Sequence, residues 1–414
     1  MADNYIVYLY PYTLTASSHS DLYTGDVFPH AVLHDPSIPG RFLMQLPLEM
    51  AESKSGSFSF TITPDNPLYS DVRQNMDWEV VIFRGSRFVW AGYPVQRETD
   101  LYRWTTYTCE GVLGYLNQVY LPSFLYTNVK PSVLIDDVVF RKYNTEVQTT
   151  GTAETTAAAA QRSKHRMFAR GSIDGFDKSN SRIVRYTEKT LSAMEILQTR
   201  LVSYLGGNLY VDMVSDPEKS GVLWELHYKP SDPENTNPYL VAVGKNITEI
   251  SYNYDTASFY TALVPATSDG SVLVTASNEE QSLKDGNGNI TALRRKNSVI
   301  FRNVALVKAY GLNVGLYDKL ENDYVDSAEV VGNTLIAAKD LQPPKVTFEG
   351  SAKDTTALTG DAPLQIAQYV PFQDSTRMLS CQMRITKLTL QLDDLTQNTL
   401  ELSGYVDANN PWRF

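Results

Sequence analysis

The feature that most constrains the fold is a series of short, regularly spaced strands in the first part of the chain. Phe58, Phe60 and Ile62 alternate with polar residues, which predicts a strand with one apolar face. The Pro-Asp-Asn-Pro turn at residues 64–67 ends this strand. Further short apolar runs follow at 79–83, 88–92 and 104–109. Short strands at this spacing are typical of a small antiparallel barrel or sandwich.

Length and composition indicate a folded protein of several domains. The 414 residues are too many for one small core and predict two to four domains. Hydrophobic residues make up 43% and charged residues 20%, the balance of a folded chain. No apolar run approaches the ~20 residues that span a bilayer, and the first ten residues predict a mature strand, not a secretion signal. Cys109 and Cys381 are far apart in sequence, which predicts folding in a reducing compartment without a disulfide framework.

The net charge of −11 argues against tight binding of nucleic acid, because duplex DNA would be repelled. Two interpretations stay open. The charge either gives ordinary solubility or provides a surface past which DNA slides without sticking. The 26 Tyr residues favour half-buried strands and interfaces, and therefore β structure and assembly.

The middle of the chain predicts helices mixed with strands. Residues 131–144 are expected to be helical, and 149–160 form a stretch of Thr, Ala and Gly with a basic cluster after it. That stretch and its cluster, Arg162 to Arg170, are expected to form a mobile loop with a basic end. The apolar spacing of 190–205 predicts a helix, and a hairpin should follow over 209–214 and 223–228.

A second β-rich region begins at Asn246. A hairpin is expected to turn at Asp285-Gly-Asn-Gly288, and residues 328–341 predict the last helix. Strands are expected at 345–349, 364–370, 383–392 and 399–402.

Candidate sites for chemistry have simpler explanations. His19, His30 and His34 lie close in sequence, but prolines beside them disfavour a zinc-binding helix and favour a loop or strand surface. The sequence from Asp285 begins like a calcium loop, yet Ile290 stands where an EF-hand needs Gly.

Adjacent carboxylates point in different directions on a helix or strand, so they make poor acid–base pairs and suit solvated faces or caps. Such pairs occur at 136–137, 279–280 and 393–394. The basic cluster could contact a lipid headgroup or an acidic wall polymer, or it could be solvated. The sequence contains no nucleophile elbow, Walker loop or GxGxxG motif. We expect no catalytic, cofactor-binding or metal-binding residues.

The order of several weak motifs resembles the baseplate or tail-tip hub family of long-tailed phages, also described as tail-associated lysin or prophage tail endopeptidase N-terminal regions. The first part of the family pattern is matched by residues 58–69 and 88–92 and by Cys-Glu-Gly-Val-Leu-Gly-Tyr-Leu at 109–116. Residues 260–265 match a strand of the second barrel. The helix from Ala328, the strand around Phe348 and residues 384–390 and 400–404 match the end of the pattern. Many relatives continue into a peptidase, lysozyme or fibre region, which we expect to be absent here because the sequence stops at Phe414.

The resemblance implies a mainly β fold with α+β insertions and two small tube-type β-barrels per subunit. The first barrel would be 1–116, and the second 246–320 with 376–414. A mixed α/β domain at 117–245 and a helix–strand insertion at 321–375 would pack together outside the barrels. The helix at 190–205 is expected to be buried there, against the helix at 328–341. A homotrimer would then present six barrels in a ring that stacks on a hexameric tail tube.

The implied function is a structural hub at the virion tail tip, folded in the bacterial host cytoplasm and without a stable membrane span. It would join the tube to host-facing parts and close the tube until DNA is ejected. Its implied partners are a distal tail or tail tube protein, the tape-measure protein and receptor-binding or fibre proteins. DNA would pass without tight binding, through an opening with more Asp and Glu than Lys and Arg. Two alternatives stay open: a hub that degrades peptidoglycan or polysaccharide, and a carbohydrate-binding adhesin.

Overall fold

The structure is a computed structural model that divides into two compact units. Unit 1 comprises Met1–Glu249, Gly350–Gln373 and Gln382–Ser403, and unit 2 comprises Ile250–Glu349, Asp374–Cys381 and Gly404–Phe414. The described residues are 4–12, 28, 30–74, 76–148, 157–173, 183–187, 190–203, 206–229, 235–254, 259–267, 270–317, 327–341, 345–356, 361–377 and 379–407.

The described residues are rich in strands. In chain order these are β1 Tyr5–Pro11, β2 Ala31–His34, β3 Pro47–Ala51, β4 Ser57–Ile62, β5 Trp78–Arg84, β6 Arg87–Thr99, β7 Thr105–Gly111, β8 Tyr120–Leu121, β9 Phe124–Val129, β10 Phe168–Arg170, β11 Ile183–Thr187, β12 Leu191–Ser192, β13 Asn208–Met213, β14 Trp224–Lys229, β15 Val241–Ala242, β16 Ile247–Tyr254, β17 Ala262–Pro265, β18 Gln281–Lys284, β19 Ile290–Arg294, β20 Phe301–Asn303, β21 Val314–Tyr317, β22 Lys345–Lys353, β23 Tyr369–Asp374, β24 Leu379–Gln391 and β25 Thr399–Asp407.

The helices are shorter and fewer. They are α1 Tyr69–Gln74, α2 Pro131–Ile135, α3 Asn144–Val147, α4 Ala157–Arg166, α5 Ala193–Leu197, α6 Pro217–Ser220, α7 Val304–Tyr310 and α8 Ser327–Lys339. A π-helical stretch, Asp136–Tyr143, joins α2 to α3, and another, Gln198–Val202, continues α5. Short 3₁₀ helices cover Val112–Asn117 and Leu395–Gln397. The fold is therefore mainly β with helical insertions.

The largest sheet has the strand order β16-β22-β25-β24-β3-β4-β7-β6-β5-β1-β2, with β15 and β23 paired beside β24. Smaller sheets have the orders β10-β14-β13, β11-β9, β12-β8 and β18-β19-β20-β17-β21. None of these sheets closes on itself within the described residues.

The predicted alternation of β4 is confirmed and supplies one core of unit 1. Phe58, Phe60 and Ile62 are all fully buried, and the Phe60 ring stacks on Tyr107 of β7 at 5.3 Å between centroids. Trp78 of β5 meets the same Tyr107 ring edge-on at 5.2 Å. Large side chains on one face of each strand thus form the apolar layer that the sequence pattern indicates.

The last long strand belongs to the same sheet as the first block. Residues 387–391 of β24 pair antiparallel with β3, and Lys387 Nζ lies 3.2 Å from Glu49 Oε2. Arg384 of β24 forms an ion pair with Glu52, the residue directly after β3. The sequence predicts that 376–414 joins 246–320 in a second barrel. In the structure, residues 387–391 extend the sheet of the first block.

A second core of unit 1 brings the helices together. Met194, Leu197 and Leu201 of α5 and its π-helical continuation are buried there, which confirms the predicted apolar stripe. Leu191, assigned by its spacing to the same helix, lies instead in β12, since α5 begins after Ser192, whose Oγ accepts a hydrogen bond from the Glu195 amide. Leu205 lies outside the described residues.

Unit 2 has its own core around a five-stranded sheet. Leu263, Phe301, Val330 and Leu335 are buried there, and α8 contacts β17, β19 and β20. The partner expected for α8, the helix at 190–205, contributes to the second core of unit 1 instead. That expectation was wrong because periodicity shows which face of a helix is apolar but not what covers it.

Two further predictions need correction. Residues 157–166, expected in a mobile loop, form α4, and β10 follows it. The run of Ala residues has high helix propensity, which low complexity concealed. The strand predicted at 364–370 begins only at Tyr369, because turn and irregular backbone covers 361–368.

Candidate functional site

A buried polar network joins four segments of unit 1. Tyr115 donates a hydrogen bond to Glu79 Oε1 at 2.6 Å, and His165 Nδ1 lies 2.9 Å from Glu79 Oε2. The Tyr12 and Tyr115 hydroxyls are also hydrogen-bonded to each other. Burial raises the pKa of Tyr115 well above its usual value, and the Glu79 carboxylate adds to this effect. Glu79 and His165 are wholly inaccessible to solvent, so the network holds elements together and offers no surface to a substrate.

The basic cluster of the sequence analysis does not form a free cationic surface. Arg162 forms an ion pair with Asp77, and Arg170 Nε lies 2.8 Å from Asp136 Oδ1. His165, from the same cluster, is the buried partner of Glu79. Acidic neighbours therefore offset much of the charge that the sequence concentrates here, and 149–156 lie outside the described residues.

The candidate metal-binding histidines have other roles. His34 is buried, which corrects the expected surface position, and its Nδ1 accepts a hydrogen bond from the Leu43 amide at 3.1 Å. The His30 ring stacks on Tyr10 at 5.1 Å, and His19 lies outside the described residues. In the part of the chain that is described, no three His, Cys, Asp or Glu side chains come together as metal ligands would.

The predicted hairpin at 285–288 is confirmed between β18 and β19. Asp285 Oδ1 accepts hydrogen bonds from the Asn287 and Asn289 amides, each at 2.9 Å, so the carboxylate stabilises the turn itself. These bonds lower the pKa of Asp285, and the Asn289 side chain contributes most.

The adjacent carboxylates are used locally. Asp137 Oδ2 lies 2.8 Å from Lys142 Nζ, and Asp394 Oδ1 caps a 3₁₀ helix by accepting from the Thr396 amide at 3.1 Å. Glu279 and Glu280 are exposed. None of these three pairs forms two carboxylates facing a common cleft.

The strongest candidate site is a cavity of about 1150 Å³ that is lined by residues of unit 1. Its described lining contains four cationic residues, Lys54, Arg84, Arg87 and Lys229, and one carboxylate, Asp212. The chain as a whole carries a net charge of −11, whereas these lining residues have an excess of positive charge. The cavity therefore favours an anionic occupant.

Arg84 is the most buried of these cations. It is 7% exposed, and its Nε has no hydrogen-bond partner among the described residues. Its guanidinium lies 6.0 Å from the centroid of the Tyr5 ring. Burial raises the pKa of the Tyr5 hydroxyl, an effect that the Arg84 charge opposes. A buried guanidinium with donor capacity to spare is suited to bind an anion.

The remaining cations lie nearer the opening. Lys54, Arg87 and Lys229 are exposed, and Lys229 Nζ lies 5.6 Å from the centroid of the Tyr210 ring. The Arg87 guanidinium faces the Gln365 side-chain amide, whose oxygen accepts from it in the orientation that satisfies both groups. Ser55, also in the lining, donates from its Oγ to Glu110 Oε1 at 3.1 Å.

This cavity could not be predicted from the sequence because its cations lie on separate strands and turns between residues 54 and 229. The one local signal is Arg84-Gly-Ser-Arg87, in which two arginines flank a hairpin turn. A pattern of that length is common on protein surfaces and does not by itself indicate a site.

No protein-family model matches the chain, and no curated protein matches it. Solved structures of similar fold include three tail proteins. A prophage tail protein, gp18 from Listeria monocytogenes, matches with a TM-score of 0.53 at 13% identity over 96% of this chain and 94% of its own. A tail protein from Neisseria meningitidis matches with a TM-score of 0.52 at 9% identity, over 98% and 97%.

A 43 kDa tail protein of prophage MuSo2 from Shewanella oneidensis matches with a TM-score of 0.50 at 10% identity, over 88% of this chain and 94% of its own. Within the described residues, no helix has the length and apolar character to cross a membrane. At 9–13% identity, the similarity to these three tail proteins concerns the fold, and it extends over nearly the whole chain. The chain thus has the fold of prophage tail proteins, in agreement with its sequence resemblance to the phage baseplate and tail-tip hub family.

Proposed function

We propose that this protein is a structural hub at the tail tip or baseplate of a long-tailed phage. The observation that carries the proposal is the fold shared with three prophage tail proteins over 88–98% of this chain. The order of the sequence motifs supports it independently. The hub joins a hexameric tail tube to host-facing parts, closes the tube before infection and opens it for DNA.

The assembly in this proposal is a homotrimer in which each subunit supplies two β-rich blocks, 1–116 and 246–320, to a ring of six tube-type barrels. Residues 382–403 belong to unit 1 together with the first block. The second barrel that each subunit contributes to the ring is therefore built mainly from 246–320. The described sheets are open, and contacts between subunits close the ring. Most of 117–245 lies outside it, whereas 321–375 contributes β22 and β23 to the largest sheet of the subunit.

The partners in this proposal are a distal tail or tail tube protein, the tape-measure protein and receptor-binding or fibre proteins. The subunit folds in the host cytoplasm and is then assembled into the virion tail. The ring opening presents more Asp and Glu than Lys and Arg, so DNA passes without being held by counterion release.

The direct test is cryo-electron microscopy of assembled tails, with mass photometry of the purified protein. We expect three copies per tail tip and a trimeric mass in solution or with the tube partner. One copy per tail, or a ring opening lined with Lys and Arg, would contradict the proposal.

The proposed role is non-enzymatic. The buried Glu79–His165 pair, which in composition resembles an acid–base pair, is sealed from solvent and tied to Tyr115. In zymograms of host cell walls the purified protein should leave no clearing. Clearing that persists in a Glu79→Gln variant would place an unrecognised hydrolase site elsewhere in the chain.

A further inference from the structure

We propose that the cavity of unit 1 binds an extended acidic segment of a partner protein, which adds as a strand to the edge of β13. This inference does not depend on the hub assignment. It follows from the cavity's charge, its size and the unpaired strand edges that border it.

One edge of β13 is free among the described strands. The sheet order β10-β14-β13 leaves β13 paired on one side there. The Val214 amide, just past β13, donates to Leu223 O, so in the antiparallel ladder the even-numbered residues of β13 bond to β14. The odd-numbered residues, 209, 211 and 213, present their amides and carbonyls to the open side.

Two of those amides already have partners, and one does not. The Leu209 amide donates to Ser53 Oγ at 3.1 Å, and the Met213 amide donates to Asp212 Oδ1 at 2.8 Å. Val211 lies between them in the cavity lining, and its amide has no partner among the described residues. Backbone groups left unpaired at a strand edge are a template for another strand.

A second strand edge faces the same cavity. Pairing of β6 with β7 begins at Gly92, whereas residues 87–91 pair with β5 alone among the described strands. Phe88 and Trp90 of this stretch line the cavity. An extended segment on β13 would therefore lie beside the backbone edge of residues 87–91 and the aromatic rings of Phe88 and Trp90.

The positive charge of the cavity lining favours an acidic segment. Lys54, Arg87 and Lys229 are exposed at the cavity, and Arg84 adds a buried guanidinium. Asp212, the one carboxylate among the described lining residues, is exposed. Carboxylates spaced along a strand would meet these cations, and the aromatic side chains would receive the residues between them.

The size of the cavity favours a polypeptide over a single small anion. Its volume of about 1150 Å³ exceeds the range of roughly 300–1,000 Å³ that is usual for small-molecule sites. A strand of several residues uses both this volume and the edge of β13, whereas one phosphate or carboxylate would engage the cations alone.

The experiment measures binding of a fluorescent, acetylated and amidated octapeptide of alternating Glu and Thr to the full chain by fluorescence anisotropy. We expect saturable binding that weakens as salt is added. The same Glu–Thr peptide N-methylated at every backbone amide has the same charge but lacks all of these donors. It should bind at least about tenfold more weakly, because neither of its edges can donate to a strand.

Matched lysine variants locate the site. The double variant Lys54→Gln/Lys229→Gln removes two exposed cavity charges, and we expect about tenfold weaker binding of the Glu–Thr peptide. The control, Lys284→Gln/Lys296→Gln, removes two exposed charges beside the β18–β19 hairpin and should bind like the unmodified protein.

Four outcomes would overturn the proposal. They are no saturable binding of the Glu–Thr peptide, equal affinity for the N-methylated peptide, equal loss in both double variants, and tighter binding of an oligothymidylate of matched charge. The second outcome would leave an electrostatic site without strand addition, and the last would identify a phosphate site. Thermal unfolding of each variant establishes that a loss of binding does not reflect a loss of fold.

Discussion

Gly111 occupies a position where no larger residue fits. A Cβ atom there would overlap the carbonyl oxygen of Ser55 and lie 3.0 Å from Trp90 Nε1. That indole nitrogen already donates to Ser55 O at 3.1 Å, and the Trp90 ring also covers Gly92. One tryptophan thus lies across two glycines, which explains in physical terms part of the Cys-Glu-Gly-Val-Leu-Gly motif.

We expect Gly111→Ala to destabilise the protein by about 1–3 kcal/mol, because the backbone oxygen of Ser55 cannot move aside as a flexible side chain can. Chemical denaturation of the variant and the unmodified protein measures the difference. Gly286→Ala is the control, since a Cβ there meets nothing within 4 Å, and its effect should stay within about 0.5 kcal/mol. Equal effects of the two changes would contradict this account.

His34 should make stability depend on pH. Burial lowers its pKa, although Asp35 and Asp393 act in the opposite direction, and its Nδ1 must stay unprotonated to accept from the Leu43 amide. His34 therefore takes up a proton more readily in the unfolded chain than in the folded protein. The contribution of neutral His34 to the free energy of unfolding is complete above the pKa of about 6.5 that a histidine has in the unfolded chain. It is lost as the pH falls toward the lower pKa of His34 in the folded protein.

Denaturation midpoints measured from about pH 7.5 to about pH 5.5, on both sides of the usual histidine pKa, test this expectation. The variant His34→Asn keeps an acceptor for the Leu43 amide but does not titrate. It should lose less stability on acidification than the unmodified protein. A residual loss is expected because burial also lowers the pKa of His227. Identical pH profiles would show that His34 is not responsible.

At the scale of elements, α5 depends on its buried face. Leu197 is fully buried in the second core of unit 1, so Leu197→Ala should reduce the free energy of unfolding by about 2–5 kcal/mol. Leu101 is 91% exposed, and Leu101→Ala should change it by less than about 0.5 kcal/mol. Urea titrations of both variants measure the two values. A small loss for Leu197→Ala would mean that the helix contributes little to the core.

Elements with strong local patterns could be predicted from the sequence, and those defined by distant partners could not. Phe58, Phe60 and Ile62 identify β4 because one face of a strand repeats every second residue. The turn at Asp285 was also predictable, since its side chain bonds to its own hairpin. By contrast, α4 was missed because its caps and apolar face give weak signals, and its fixed position depends on contacts such as His165 with Glu79.

The candidate site was beyond sequence reasoning for the same reason. Arg84 and Lys229 become neighbours of one cavity only through the pairing of their strands, and no periodicity links them. The sequence placed positive charge at Arg162 to Arg170, where Asp77 and Asp136 offset it. Charge runs are visible in a sequence, but the neighbours that offset them are not.

The whole molecule should not bind DNA despite the cationic cavity. The net charge of −11 repels phosphates at long range, while four cations in a cavity cannot track a duplex. We expect no anisotropy change for a labelled duplex at about 0.1 M salt, where the screening length is about 10 Å. Salt-sensitive binding of the duplex under these conditions would contradict an acidic DNA-facing surface.

The pairing of β3 with β24 sets the order in which the chain becomes complete during synthesis. Ala51 and its partner Lys387 are separated by most of the polypeptide. A ribosome that adds roughly 5–20 residues per second needs on the order of 20–70 s to make the intervening chain. Throughout that interval the β3 edge lacks its neighbour and is open to other nascent chains. Crowding of several ribosomes on one message therefore favours mispairing, and slower initiation should raise the soluble yield.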